Sequence, residues 1–520
     1  MKRRLIASIL SAAMMLTLVA CGGGDKPAAS TPAGNTPAAS TPAGTPAAPA
    51  KDSLTVAYEA EPSNLDPSGN NQIAAYYITY LLYSGLFKNT VDGVELDLAK
   101  DYVVENDANG EGTIWVFTLR DDAKFSNGDP VTAEDVAASL NATKESSIKA
   151  NAAFFEKAEA VDGKVKLYTN GVYSAVPEAL ANKMMYIKPA KLIEAGHDFA
   201  NDPIGSGPYK LVEWKKGEAI KMTANEHYYG TAPAIKNIDW RFMAEGTTRT
   251  IALESGDVDL VISVDALDIP RLESNDAYEL SITNGSMYTY MALQNTLEPF
   301  QDINFRKFLS AAIDRESVIA VALDGYGTPL TSCINVNIDG YTDEGGQGYD
   351  PEAAKQYLAA WGGDPASVNI EIVVATDVRR RMAEVIQSNL LEYGIQSEVV
   401  MNESATVSSR AAAGDFESLI FAYTTNYFLG YANQLYVNNA SYAGVMMQHE
   451  DRFDADISAI ASELDAAARK PMITELNKKI NEYQPNIPIY CSQVILGYDA
   501  NLKGLEVDSM GFFRVEEMSW

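Results

Sequence analysis

Between Gly22 and Ala50 the chain reads GGGDKPAASTPAGNTPAASTPAGTPAAPA, without one large apolar side chain. A stretch of this kind has no surface whose burial could offset the entropy of ordering it, so it is expected to stay unfolded. PAASTPAG occurs twice, starting at Pro27 and at Pro37. As a flexible chain the segment would reach on the order of 30 Å, which suits a tether. Any fold must therefore be built from the residues that follow.

What precedes the tether reads as an export signal. Lys2, Arg3 and Arg4 supply a positive start, and Leu5 to Ala20 an apolar run that ends in LVAC at Cys21. The run is too short for a membrane span and ends in small residues, as a cleaved leader does. Leu18-Val19-Ala20-Cys21 resembles a bacterial lipobox, in which the cysteine takes lipid and becomes the mature N-terminus. Residues 1–21 are thus expected to be a lipoprotein signal peptide and 22–51 the tether. Acyl chains at Cys21 would hold the protein to the membrane surface without a spanning helix.

The rest is expected to be globular, the chain as a whole having 47% hydrophobic and 21% charged residues. It is too long for one simple core, so two or three domains are expected. A net charge of −30 argues against nucleic acid and against a basic membrane-binding face. Cys333 and Cys491 lie in the folded part. An oxidising compartment permits a bridge between them, and two buried free thiols fit the sequence equally well.

Strand and helix signals alternate. Leu54, Val56 and Tyr58 alternate with polar or small residues; AAYYITYLLYSGLF has helical spacing; Ile114 to Leu119 reads as a strand. Thr132 with Asp135 three residues on forms an acidic capping box, which accounts for that carboxylate better than catalysis does. IGSGPYKLVEWKKGEAIKMTAN, from Ile204, sets two alternating runs around a turn at Gly217 and predicts a β-hairpin. The glycines at 205 and 207 would let the backbone take conformations that other residues resist, and Pro208 would fix the exit. Farther on, INFRKFLSAAIDRESV gives two helical pieces, with Asp314 capping the second. NIEIVVAT, RRRMAEVIQSNLLEYG and IQSEVVM read as strand, helix and strand, an α/β unit with neighbouring parallel strands. A last helix, a proline break and a strand close the chain.

Signals for catalysis are sparse. The three histidines, at 197, 227 and 449, form no zinc motif, and there is no nucleophile elbow or phosphate loop. Paired carboxylates for glycoside hydrolysis remain open among 70 acidic residues, with none singled out. The expectation is a protein that is not an enzyme and needs no cofactor or metal. Of the 28 tyrosines, ten cluster in AAYYITYLLY, SMYTYMALQN and FAYTTNYFLGYANQLY, where they could line a ligand pocket or pack the core.

Taken together, EPSNLDP, LYSGLF, FTLRDDAKFSNGDPVTAEDV, PIGSGPYKLVEW, LESGDVDL, LQNTLEPFQDINFRKFLSAAIDRESV and NEYQPNIPIY resemble the oligopeptide- and dipeptide-binding group of ABC-importer solute-binding lipoproteins, family 5, over residues 52–520. The resemblance implies an α/β, two-lobed periplasmic-binding-protein-like fold with three domains around a ligand cleft. The first would comprise 52–83, 204–288 and 488–520, the second 84–203 and the third 289–487. It also implies an extracytoplasmic monomer, lipid-anchored at Cys21, that closes on an oligopeptide and presents it to ABC permease subunits. Family peptide binders carry an acidic residue in the third domain that pairs with the ligand's α-ammonium; here that position falls near Thr425 or Asn426. Neither can neutralise an ammonium, so an oligosaccharide or a metal chelate is the alternative cargo. A secreted hydrolase is a further alternative. The expected ligand contacts are Glu61, Asn295, Tyr423, Thr425, Asn426 and Tyr490.

Overall fold

The computed structural model describes residues 51–438 and 451–520, apart from Asn71 and Ser509. The signal peptide, the tether, Cys21 and His449 lie outside the described residues.

An 11-stranded mixed sheet forms the backbone of the molecule. Its order is Gln396–Met401, Asn369–Val374, Ser418–Thr424, Tyr278–Leu293, Asn486–Asp499, Leu260–Ile262, Ser53–Tyr58, Asn237–Phe242, Ala219–Ala224 and Tyr209–Lys215, with Thr328–Pro329 added beside Asn486–Asp499. Tyr278–Leu293 and Asn486–Asp499, of 16 and 14 residues, run antiparallel along the middle. Their pairing is interrupted between Asn284 and Tyr288, opposite Gln493 and Cys491. Residues 285–287 bulge there, and such an irregularity re-aims the side chains on both strands.

The strand–helix–strand unit forms as expected. Asn369–Val374 and Gln396–Met401 are parallel neighbours, joined by the helix Asp377–Leu391. Met382, Ala383, Ile386 and Leu390 form its buried stripe, at the helical period. The hairpin Tyr209–Lys215 with Ala219–Ala224 also forms, turning through Gly217 at φ 76°.

A separate four-stranded antiparallel sheet, in the order Ala99–Glu105, Ile114–Leu119, Lys164–Thr169 and Phe155–Val161, packs against the helix Ala133–Lys144. Thr132 Oγ1 accepts from Asp135 N at 3.3 Å and Asp135 Oδ2 accepts from Thr132 N at 2.8 Å, which completes the capping box.

The glycine corner has a different cause from the one expected. Neither Gly205 nor Gly207 has positive φ. A Cβ at Gly205 would lie 2.2 Å from Leu82 O, and one at Gly207 2.5 Å from Leu81 O. The corner presses against the end of the helix Ile73–Leu82, where Gly207 N donates to Leu82 O at 3.1 Å. Close approach, rather than backbone freedom, excludes a side chain.

Cys333 and Cys491 are both buried free thiols. Burial pushes Cys333 up to about 12 and Cys491 up to about 11.

Candidate ligand cleft

A cavity of about 890 Å³ lies between segments far apart in sequence. One wall comes from residues 147–185 and the facing wall from 422–434, while 73–77, 285–287, 492–494 and 510–512 contribute the floor. The facing wall starts where Ser418–Thr424 ends and the helix Phe428–Leu435 begins. The ends of strands are where open α/β sheets offer room for ligands.

The floor is aromatic. Tyr76 stacks on Phe512 with centroids 5.3 Å apart, and Tyr77 meets the same ring edge-on at 4.7 Å. Both tyrosines project from Ile73–Leu82, a helix buried nearly all round. Burial pushes the Tyr76 hydroxyl up to about 12, so it stays neutral; it donates to Asn182 Oδ1 at 3.2 Å. Asp508 shapes the loop beneath: its Oδ1 accepts from Met510 N at 2.9 Å and Phe512 N at 3.0 Å. Burial raises that carboxyl to about 6, against the opposing pull of these amides and of Arg514.

None of the described lining residues carries a charged side chain. In their place stand amides (Asn151, Asn170, Asn182, Asn426, Asn433, Gln434), hydroxyls, tyrosine faces and the thioethers of Met184, Met185, Met287 and Met510. A buried cation, Lys183, lies behind Tyr76, its Nζ 4.6 Å from the ring centroid. It donates to Asn70 O at 2.6 Å, and burial pulls it down to about 7.

The walls and the segments flanking them touch across the cleft. Asn426 Nδ2 donates to Asn89 Oδ1 at 2.9 Å, and the hydroxyls of Tyr173 and Tyr427 meet at the cavity. At the rim, Ser174 N donates to Ala461 O at 2.8 Å, Ser174 Oγ to Ile460 O at 3.0 Å, and Arg469 Nη2 to Glu178 Oε1 at 3.0 Å.

Of the six expected contacts, Tyr423, Thr425 and Asn426 line the cavity, and Glu61, Asn295 and Tyr490 do not. Glu61 instead accepts from Trp214 Nε1 at 2.9 Å and Gly217 N at 3.0 Å, holding the turn of the hairpin. Asn295 donates to Pro485 O at 2.9 Å. Tyr490, 5% exposed, packs in the core with Met291 and Ile489. Farther along the same strand, opposite the bulge at 285–287, Ser492 and Val494 line the cavity instead. Sequence reasoning passed over Asn182, the bulge at 285–287 and the Met510–Phe512 loop, whose positions depend on long-range packing. Tyr76, Tyr77, Tyr423 and Tyr427 do fall in the tyrosine clusters singled out above, whereas Tyr288 and Tyr290 of SMYTYMALQN are core.

A large mixed sheet with a smaller sheet beside it, and between them a cleft lined by uncharged polar and apolar side chains, defines a ligand-binding protein of the periplasmic-binding-protein kind. The chain belongs to the bacterial extracellular solute-binding proteins, family 5, whose "family 5 Middle" model matches residues 93–443. Proteins of this family are the substrate-binding components of ABC importers. The nickel-binding periplasmic protein of Escherichia coli K12 is 27% identical over 86% of this chain and 91% of its own length. Glutathione-binding protein GsiB of Salmonella paratyphi A is 25% identical over 88% and 92%. Among solved structures, HbpA2 from Haemophilus parasuis superposes with a TM-score of 0.80 at 22% identity, covering 90% of this chain and 99% of that one.

Proposed function

We propose that this substrate-binding component is lipid-anchored through Cys21 and captures a polar solute with no fixed charge on its buried part, such as an oligosaccharide. The observation that carries this is the uncharged lining of the described cleft. Amides and hydroxyls can replace the water that such a solute sheds, and tyrosine faces can cover its apolar side. An α-ammonium buried there would lose its hydration without a counter-charge, which costs several kcal/mol even after relaxation. The cavity is the size of sites that enclose small ligands.

An oligopeptide is the second reading, favoured by the likeness to a glutathione-binding protein. It requires the peptide's charged ends to lie outside the described lining. For the fold we propose three domains: 52–83 with 204–288 and 488–520; 84–203; and 289–487. The four-stranded sheet within the second and the parallel unit within the third support the division. Residues 285–287, at the cavity, would mark a crossover between the first and third.

Native mass spectrometry of the purified protein, with stepwise activation to eject co-purified ligand, tests the cargo. A neutral glycan mass is expected; a ladder of peptide masses with free amino termini would overturn the reading. Turnover of glycan or peptide above background would overturn capture itself. Retention of the parent, but not of Cys21→Ser, in the membrane fraction tests the anchor.

A further inference from the structure

We propose that the Asn89–Asn426 amide contact is the closing clasp of the cleft, and that position 426 must donate a hydrogen bond for the cleft to close. Asn89 lies in the short strand Phe87–Thr90 and is 2% exposed. Its Nδ2 donates to Tyr80 Oη at 3.1 Å and to Ala181 O at 3.3 Å. A main-chain carbonyl can only accept, so the amide nitrogen must face Ala181 and the amide oxygen must face away. The main chain is pinned as well: Arg514 Nη2 and Nε donate to Asn89 O at 2.8 and 3.2 Å. Oδ1 is thus presented to the opposite wall in one fixed sense, where it accepts from Asn426 Nδ2 at 2.9 Å.

The fixed sense makes the clasp selective. A carboxylate at 426 would set oxygen against oxygen, and turning Asn89 to relieve this would strip Ala181 O of a donor in a buried place. Asn426 also lines the cavity, so the side chain that closes the cleft is exposed to what the cleft holds. Cargo that binds Asn426 in this rotamer therefore favours the closed form. The inference rests on the cleft being the cargo site, but its test uses no cargo, so a wrong cargo assignment leaves it standing.

The rim supplies the reporter, because the Ser174 N to Ala461 O bond joins the 147–185 wall to the helix Asp454–Ser462, which shares a core with Phe428–Leu435 on the side of Asn426. Amide hydrogen exchange of the full chain, corrected for intrinsic rates, is followed at Ser174 and, as a control, at Val373 in the parallel unit. Asn426→Asp at pH 7 is expected to speed exchange at Ser174 about five- to tenfold, the worth of one hydrogen bond, and to leave Val373 unchanged. As pH falls through about 4 the new carboxyl gains a proton, becomes a donor, and returns Ser174 toward the parent rate. Asn426→Ala, which removes the donor without adding charge, is expected to speed Ser174 at every pH. Unchanged exchange at Ser174 in both variants, or a rise shared equally by Val373, would overturn the proposal.

Discussion

Arg469 reaches Glu178 across 291 residues of sequence and donates to its Oε1 at 3.0 Å, tying the 147–185 wall to the helix Ala466–Tyr483 at the cavity rim. The two side chains are 12% and 23% exposed, so the pair is neither fully solvated nor fully buried. Arg469 Nη1 also donates to Ser174 O and Glu463 O, at 3.3 and 3.2 Å. The guanidinium thus holds three acceptors from two segments.

Arg469→Ala is expected to cost about 1–3 kcal/mol, between the values of exposed and buried pairs. Burial already raises the Glu178 carboxyl above its ordinary range, and loss of Arg469 would raise it further. Urea denaturation at pH 7 reads the loss. An unchanged midpoint would mean that the rim contact contributes nothing to stability.

Asp508 gives a pH signature. Its folded carboxyl titrates at about 6 against 3.8 ordinarily, so between these values the unfolded chain has lost a proton that the folded one keeps. Its contribution is therefore fully present below about 4, is lost as pH rises to about 6, and amounts to about 3 kcal/mol. Subtracting the stability curve of Asp508→Asn from that of the parent should isolate a fall over this window. A flat difference would refute it.

Lys183 works in the opposite direction. With its folded value pulled down to about 7 from 10.5, the buried charge destabilises the fold below 7, and the penalty lifts as pH rises toward 10.5. Lys183→Met should lessen the rise in melting temperature across that range. An identical slope in the two proteins would show that Lys183 is not buried as an amine.

Gly207→Ala would drive a methyl to 2.5 Å from Leu81 O and 2.6 Å from Leu82 C. Both are main-chain atoms and cannot swing aside, so a loss of about 1–3 kcal/mol or more is expected on denaturation. Stability equal to the parent's would show that the helix end yields freely.

Both buried thiols, raised by burial, should resist an aromatic disulfide reagent in the folded state and react once guanidinium unfolds the chain. Prompt reaction of Cys491 in the native protein would contradict its placement.

Elements set by local chemistry were legible in the chain. The Thr132–Asp135 box, the Asp314 cap, the hairpin turning at Gly217 and the parallel unit from Asn369 to Met401 each follow from neighbours in sequence. The site was legible only in part. The segment from Tyr423 to Asn426 stood out by its aromatics and by what it lacks. Glu61 and Tyr490 sit in equally suggestive motifs, yet one holds a turn and the other fills a core.

Sequence alone determined the class of elements, the caps, the expected export signal and the shortage of catalytic groups, because these depend on residues within a few positions of one another. Which tyrosines face ligand and which face core, why Gly205 and Gly207 exclude a side chain, and that Asn89 meets Asn426 were decided only by the tertiary structure. Those outcomes rest on a bulge in a central strand and on contacts between segments hundreds of residues apart, and local periodicity carries no record of either.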